Sequence, residues 1–141
     1  MHSNILNNYR LERSKPRRPL ILVVDNDRDN LLFASYVIQA LGIDYLITDD
    51  SQKCLELVHE HHPDMILLDI VMPKLDGLEI TRSIRKDRQI SHISIVAVTG
   101  LTKPEDKTQL LAAGCDDYLR KPYLIEELET KIYKYLSSHL K

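Results

Sequence analysis

Five short apolar runs alternate with five amphipathic patterns along most of this chain, between residue 20 and residue 138. Each run has the length of a buried strand, and each amphipathic pattern repeats its apolar residues every three to four positions, as a helix does. Regular alternation of this kind predicts a parallel sheet covered by helices on both faces and joined by right-handed crossovers. The expected fold class is therefore α/β, a doubly wound (βα)5 fold with a five-stranded parallel sheet.

The bounds of these elements follow from the apolar runs and from the residues that interrupt them. The predicted strands cover residues 20–25, 44–48, 65–69, 93–98 and 117–120. The predicted helices cover residues 28–41, 51–61, 77–86, 102–114 and 124–138, with Ser51 in the cap region of the second. Gly42 stops the first helix, while Pro104 in the first turn and Gly114 at the end delimit the fourth.

Composition and charge limit the classes of function. A chain of 141 residues with 43% apolar and 28% charged residues is typical of one globular domain. Residues 1–19 carry five Lys or Arg against one Glu, which leaves 14 Lys or Arg against 20 Asp or Glu in residues 20–141. We therefore expect a flexible basic extension over 1–19, an acidic domain over 20–138 that is unsuited to nucleic acid, and a short tail over 139–141.

The sequence contains neither a membrane-spanning run nor the apolar centre of a signal peptide. A span requires roughly 18 to 20 apolar residues, and no stretch of this chain approaches that length. The expectation is a cytoplasmic protein without membrane contact.

Chemically capable side chains stand at the ends of four predicted strands. Asp25 ends the first strand, Asp69 the third, Thr99 follows the fourth and Lys121 follows the fifth. Because the carboxyl ends of parallel strands meet at one edge of the sheet, we expect these groups to form one site. A lone Asp at a strand end is often only a turn or cap residue, so the prediction of a site rests on all four residues together.

Together these residues resemble the receiver domain of two-component response regulators. The similar segments are the acidic end of the first strand, the run from Leu68 to Gly77, Thr99-Gly100, the run from Ala113 to Tyr118, and Lys121-Pro122. The resemblance covers about residues 20–138 and implies a flavodoxin-like sheet with strand order 2-1-3-4-5. It also implies a stand-alone phosphoacceptor protein rather than an enzyme, with at most self-phosphorylation and self-dephosphorylation activity.

The resemblance assigns roles to the strand-end residues. Asp69 would take a phosphoryl group from a sensor histidine kinase or a phosphotransfer protein, with Mg²⁺ balancing the charge. The Mg²⁺ ligands would be Asp25, Asn26, Asp69 and the backbone carbonyl of Val71. Thr99 and Lys121 would contact the phosphoryl oxygens, and the Lys121–Pro122 peptide would be cis.

The resemblance also implies a switch and an output surface. Thr99 would move toward the phosphoryl group while Tyr118 repacks inward, and a downstream protein effector would read the change on helix 4, strand 5 and helix 5. The same face allows a dimer, and Tyr123, Tyr133 and Tyr135 near it suit either a protein contact or ordinary half-buried packing.

The first helix carries more apolar residues than one buried stripe needs. Leu32, Phe33, Tyr36 and Val37 lie off the face formed by Leu31, Ala34 and Ile38. Docking of a kinase or phosphotransfer protein beside Asp69 would explain this surplus, and so would ordinary packing.

Two departures from the family pattern affect the expected chemistry. Asn26 stands where receivers usually have a second carboxylate, so Mg²⁺ should bind more weakly, with nearby Asp27 compensating in part. Val71 and Leu101 occupy the positions that tune hydrolysis in this family, and neither can orient a water molecule. We therefore expect slow loss of the phosphoryl group.

Two alternative functions remain open at the level of sequence. Asn26 would suit a pseudo-receiver, an interaction module that never takes a phosphoryl group. The run from Leu22 to Asp27 also resembles the first motif of haloacid-dehalogenase-type phosphatases, in which Asp25 would be the nucleophile. The phosphatase interpretation leaves the residues around Asp69 unexplained.

Overall fold

The computed structural model of the protein describes residues 18–100 and 103–137. Within these ranges five parallel strands form one sheet in the order β2-β1-β3-β4-β5. The strands are β1 (Leu20–Val24), β2 (Asp44–Thr48), β3 (Met65–Asp69), β4 (Ser94–Thr99) and β5 (Asp117–Arg120). The predicted fold class and strand order are confirmed.

Five α-helices connect or follow the strands. They are α1 (Arg28–Ala40), α2 (Cys54–His61), α3 (Gly77–Lys86), α4 (Pro104–Ala113) and α5 (Ile125–Leu136), and a 3-10 turn, Ser51–Lys53, precedes α2. These bounds differ from the predicted ones by at most three residues, at helix and strand ends where capping rather than periodicity decides. Most of the predicted basic extension and the predicted tail lie outside the described residues.

Two apolar clusters, one on each face of the sheet, form the core. Helices α1 and α5 cover one face, and α2, α3 and α4 cover the other. Successive residues of β1 serve opposite clusters, since Ile21 and Val23 face α1 and α5 while Leu22 and Val24 face the other layer. A strand buried on both faces needs apolar residues at every position, which explains the continuous apolar runs of the sequence. None of the helices in the described ranges has the length and apolar character needed to cross a bilayer.

Arg85 fastens the end of α3 to the amino-terminal side of the sheet. Its guanidinium donates to the Gly114 carbonyl (2.8 Å), to two carbonyls of the loop before β4 (2.7 Å each) and to Asp116 (2.8 Å). Asp116 in turn accepts a hydrogen bond from the backbone N–H of Ile95 (2.8 Å). These contacts fix β4 and β5 relative to each other, so that their far ends can present Thr99 and Lys121 together.

Candidate functional site

The four predicted strand-end residues lie at one edge of the sheet. Asp25 directly follows β1, Asp69 is the last residue of β3, Thr99 is the last residue of β4, and Lys121 directly follows β5. Strands β1 and β3 are neighbours, and the order of the strands reverses beside them, which is where open α/β sheets form a crevice. The edge therefore has the geometry of a binding site.

Lys121 bridges the two carboxylates. Its Nζ lies 3.0 Å from Asp25 Oδ2 and 3.4 Å from Asp69 Oδ2. Burial disfavours the charged amine, but the hydrogen bond and the charge of Asp25, followed by those of Asp69, outweigh burial and raise the pKa of Lys121. The backbone N–H of Lys121 donates to the Thr99 carbonyl at 2.8 Å, and the Lys121–Pro122 peptide is cis. Lys121 is thus a positive charge shared by two buried acids.

Asp25 is held on several sides. Its Oδ1 accepts the backbone N–H of Asp27 at 2.9 Å, and its Oδ2 accepts the side-chain amide of Asn30 from the first turn of α1. Its own N–H donates to the Thr48 carbonyl of the neighbouring strand at 3.1 Å. Asn30 was not among the predicted site residues, although its place one turn into the helix after Asp25 is visible in the sequence.

Asp69 lies in an environment that opposes its negative charge. Burial, followed by the charge of Asp25, raises the pKa of Asp69 to about 6, while Lys121 and a hydrogen bond from the backbone N–H of Val71 (3.1 Å) act in the opposite direction. Two adjacent buried carboxylates with one shared ammonium thus leave an excess of negative charge. The site favours a further cation.

Gly77 allows the start of α3 to approach Asp69 closely. A Cβ at Gly77 would lie 2.8 Å from both the Asp69 carbonyl oxygen and the Ile70 Cα. The Gly77 N–H donates to the Ile70 carbonyl at 3.0 Å, and Asp76 caps α3 through the Glu79 N–H at 2.9 Å. The Asp-Gly pair therefore allows helix and strand end to approach closely.

Ser51 anchors the loop between β3 and α3, a role that sequence reasoning missed. Ser51 was predicted to lie in a helix cap region, but Asp50 provides the cap by accepting the Gln52 N–H at 2.9 Å. The buried Ser51 hydroxyl instead donates to the Pro73 carbonyl (3.1 Å) and accepts the Leu75 N–H (3.2 Å). It thereby links the loop that follows Asp69 to the end of β2.

The chemistry of the two carboxylates fits a hard divalent cation. Oxygen ligands suit Mg²⁺. The Lys121 ammonium contacts both carboxylates, so the pair already accommodates one positive charge. Asn26 is exposed in the turn after β1. Over the described ranges no group of three or more His, Cys, Asp or Glu is suited to hold a metal. A cation here would therefore rely on amide, carbonyl and water oxygens in addition to the acids.

Asp27 is committed to the start of α1. Its Oδ1 accepts the N–H groups of Asp29 (3.0 Å) and Asn30 (3.4 Å) as the N-cap. The predicted compensation for Asn26 would thus come from the charge of Asp27 or from its second carboxylate oxygen, since Oδ1 caps the helix. Of the two residues predicted to slow hydrolysis, Val71 is exposed directly after the Asp69 turn, and Leu101 lies outside the described residues.

The predicted switch residue, Tyr118, lies half-buried on β5. The Nζ of Lys107, from α4, lies 5.3 Å from the centre of its ring. Its neighbour Asp117 accepts hydrogen bonds from Lys131 (3.0 Å) and from the Tyr135 hydroxyl (2.9 Å), which ties α5 to β5. Burial would raise the pKa of Asp117, but these hydrogen bonds lower it.

Tyr123 does not lie where it was predicted to lie. It is only 6% exposed and packs on Phe33 of α1, with ring centroids 5.7 Å apart, whereas Tyr133 on α5 is exposed. The prediction that Tyr123 lies near the α4, β5 and α5 face is wrong, because its ring is buried in the cluster beneath α1 and α5.

A family model described as response regulator receiver domain matches residues 21–133. The polar-differentiation response regulator DivK of Brucella ovis is 34% identical over 119 residues, which are 84% of this chain and 96% of that protein.

Solved structures show the same fold. Chemotaxis protein CheY4 of Vibrio cholerae matches with a TM-score of 0.80 and 26% identity, over 85% of this chain and 100% of that chain. A chain in the co-crystal structure of the Saccharomyces cerevisiae histidine phosphotransfer signaling protein Ypd1 and the receiver domain of its downstream response regulator Ssk1 matches with a TM-score of 0.81 and 25% identity, over 88% of this chain and 92% of that chain.

Proposed function

This chain belongs to the response regulator receiver domain family, and we propose that it accepts a phosphoryl group on Asp69 and signals through the change of conformation that follows. The observation that supports this proposal most directly is the buried pair of Asp25 and Asp69 with the Lys121 ammonium against both, at the crevice of a parallel sheet. Such a site would offer a nucleophile, acidic groups for a cation and a positive charge within a few ångströms of one another.

The transfer would begin with the carboxylate of Asp69 as nucleophile. One of its oxygens attacks the phosphorus of a phosphohistidine, the new O–P bond forms as the P–N bond breaks, and the imidazole leaves with the electron pair. The Val71 N–H holds Oδ1 of Asp69, which fixes the carboxylate plane before the donor arrives. When bound, Mg²⁺ neutralises charge on the phosphoryl oxygens and on the acids, and Asp25, Asn26, Asp69 and the Val71 carbonyl would hold it.

Lys121 and Thr99 would stabilise the product. The Lys121 ammonium lies 3.0 Å from Asp25 and 3.4 Å from Asp69, so it would reach an oxygen of a phosphoryl group on Asp69 without leaving the site. Thr99, on the neighbouring strand, would add a hydrogen bond from its hydroxyl. Movement of Thr99 would open space for Tyr118 to repack, which transmits the change to the surface of α4, β5 and α5.

The phosphoryl donor would be a histidine kinase or a phosphotransfer protein that docks over α1. Leu32 and Tyr36 on that helix are 61% and 74% exposed, and Val71 beside the acceptor is 64% exposed. Exposed apolar side chains next to an acceptor carboxylate are suited to a protein partner. The similarity to the co-crystallised receiver system supports this type of partner. The surface formed by α4, β5 and α5 would bind an effector or a second copy.

Labelling with acetyl phosphate during a Mg²⁺ titration tests the proposal. Intact-mass spectrometry should show one phosphoryl group on the wild type, dependent on Mg²⁺ and removed by hydroxylamine, and none on Asp69→Asn. Retained labelling of Asp69→Asn together with loss in Asp25→Asn would support the phosphatase alternative instead.

A pseudo-receiver is the second candidate, because Asn26 removes one carboxylate from the expected cation ligands. Absence of labelling at saturating Mg²⁺, in a protein that is folded by circular dichroism, would favour it over the phosphorylated switch.

A further inference from the structure

Lys107 of α4 contacts the ring of Tyr118, the predicted switch residue. The Lys107 Nζ lies 5.3 Å from the ring centre, and both side chains are half-buried. Lys107 stands three residues before the buried Leu110, and therefore on the side of the helix that faces the sheet. A cation within about 6 Å of an aromatic ring is attracted to its face, and at a partly exposed site this changes an equilibrium constant about two- to fivefold.

A comparable contact joins Lys134 and Tyr135 of α5, but there hydrogen bonds also hold the ring. The Lys134 Nζ lies 5.3 Å from the centre of the Tyr135 ring, and the Tyr135 hydroxyl donates to Asp117 at 2.9 Å. The Tyr118 ring instead packs on the apolar cluster beneath α2, α3 and α4, with the Lys107 ammonium against it. Lys107 therefore contributes to the position of a ring, whereas Lys134 contacts a ring that is fixed in another way.

The contact between Lys107 and Tyr118 depends on the half-exposed position of the ring. In the proposed function Tyr118 repacks inward, which carries its ring away from the side chain on α4. The ammonium cannot follow the ring into the interior, because burial of an unpaired charge is costly. A contact that exists in only one of two conformations shifts the equilibrium toward that conformation. The contact would thus oppose the switch.

We propose that Lys107 is a regulatory residue of the switch: its ammonium retains the Tyr118 ring in the half-exposed position and thereby limits the fraction of the protein in the switched conformation. This inference rests on the proposed function. It differs in sign from a purely structural role, because loss of the contact should favour the switch instead of impairing it. It also differs in sign from a simple effect of charge, since loss of a lysine by itself would weaken the binding of an anionic phosphoryl analogue.

Substitutions of Lys107 and one control separate these causes. Lys107→Met keeps an aliphatic side chain and removes the charge, while Lys107→Arg keeps a cation that also stacks on aromatic rings. Lys134→Met is the matched control, because it removes a cation at the same distance from a ring that a hydrogen bond holds in place. Lys107→Gln is a second neutral variant, which keeps the test decisive if Lys107→Met fails to fold.

The measurement is the Kd of beryllium fluoride, a phosphoryl analogue, at saturating Mg²⁺ by calorimetry. We expect Lys107→Met to bind the analogue about two- to fivefold more tightly than the wild type, because less of the favourable binding is spent on breaking the contact. Lys107→Arg and Lys134→Met should bind it with the wild-type Kd. In NMR spectra without the analogue, the Tyr118 ring resonances of Lys107→Met should shift toward their positions in the wild-type complex.

A double-mutant cycle shows whether the effect depends on the ring. In a Tyr118→Leu background the aromatic partner of the ammonium is absent, so Lys107→Met should leave the Kd of the analogue unchanged. A similar gain in affinity in both backgrounds would assign the effect to something other than the contact between Lys107 and Tyr118, and would overturn the inference.

Equal or weaker binding of the analogue by Lys107→Met and Lys107→Gln, in proteins that are folded by circular dichroism, would also overturn the inference. The proposed function would still stand in that case, provided that the wild type binds the analogue and acetyl phosphate labels Asp69. A wild type that neither binds the analogue nor takes a phosphoryl group would overturn both.

Discussion

Asp69→Asn should stabilise the metal-free protein at neutral pH, although it abolishes the proposed function. The rise in the pKa of Asp69 from 3.8 to about 6 means that ionisation of this carboxyl disfavours the fold. At 1.36 kcal/mol per pKa unit this corresponds to about 3 kcal/mol. Asparagine removes the charge beside Asp25 but must satisfy its own amide, so we expect a gain of roughly 1 to 3 kcal/mol.

The pH dependence of the free energy of unfolding distinguishes the loss of charge repulsion at Asp69 from a change in packing. Because the folded state holds the Asp69 proton more tightly than the unfolded state, the stabilising effect of that proton is complete below about pH 4 and is lost as the pH rises through about 6. Between about pH 7 and about pH 5 the wild type should therefore recover about 1.3 kcal/mol relative to Asp69→Asn. Urea unfolding in EDTA at these two pH values measures the difference.

Asp117→Asn is the matched control for this experiment. Hydrogen bonds from Lys131 and Tyr135 lower the pKa of Asp117 despite its burial, so its ionised form favours the fold. That contribution is present above the ordinary pKa of aspartate and is lost only as the pH falls through the lower folded value. Asp117→Asn should thus destabilise the protein equally at both pH values. If Asp69→Asn behaves like Asp117→Asn, repulsion between Asp25 and Asp69 does not dominate the site.

Three further substitutions test other parts of the structure. Asn26→Asp should tighten Mg²⁺ binding by about tenfold or more, since a carboxylate about 4 Å from a divalent ion contributes about 2 kcal/mol even in water; unchanged calorimetric affinity would place position 26 outside the site. Val71→Asn should speed loss of the phosphoryl group from Asp69 several-fold, because its amide can orient water, and constant decay in a phosphate-affinity gel would contradict this. Arg85→Met removes one hydrogen-bond donor from each of three carbonyls and from Asp116, so about 3 kcal/mol of stability should be lost. A change below about 1 kcal/mol in urea unfolding would show that water replaces the guanidinium.

The fold and the strand-end residues could be predicted because both depend on local pattern. A strand that is buried on both faces needs a continuous apolar run, and the carboxyl ends of parallel strands meet at one edge. Asp25 and Asp69 follow such runs on β1 and β3, and these strands are adjacent in the sheet. The runs alone predicted one common edge, while the strand order that makes β1 and β3 neighbours was implied by the resemblance to receiver domains.

Partners that come from distant segments could not be predicted in the same way. Ser51 contacts a loop more than twenty residues later in the chain, and Tyr123 turns toward α1 rather than toward the α4, β5 and α5 face. Periodicity assigns a residue to a face of its own element but does not say which loop or side chain arrives there.

The repulsion between Asp25 and Asp69 lowers the stability of the metal-free protein, and the same repulsion favours the binding of a cation. A ligand that binds only the folded state adds about 2.7 kcal/mol of stability at a concentration 100 times its Kd. Lys121 offsets the repulsion between Asp25 and Asp69 only in part, since the pKa of Asp69 remains raised with the ammonium 3.4 Å away. The remaining repulsion is what a divalent cation would remove, so Mg²⁺ should stabilise the wild type more than Asp69→Asn. A variant without this repulsion should therefore be more stable in the absence of metal and should bind the cation less tightly.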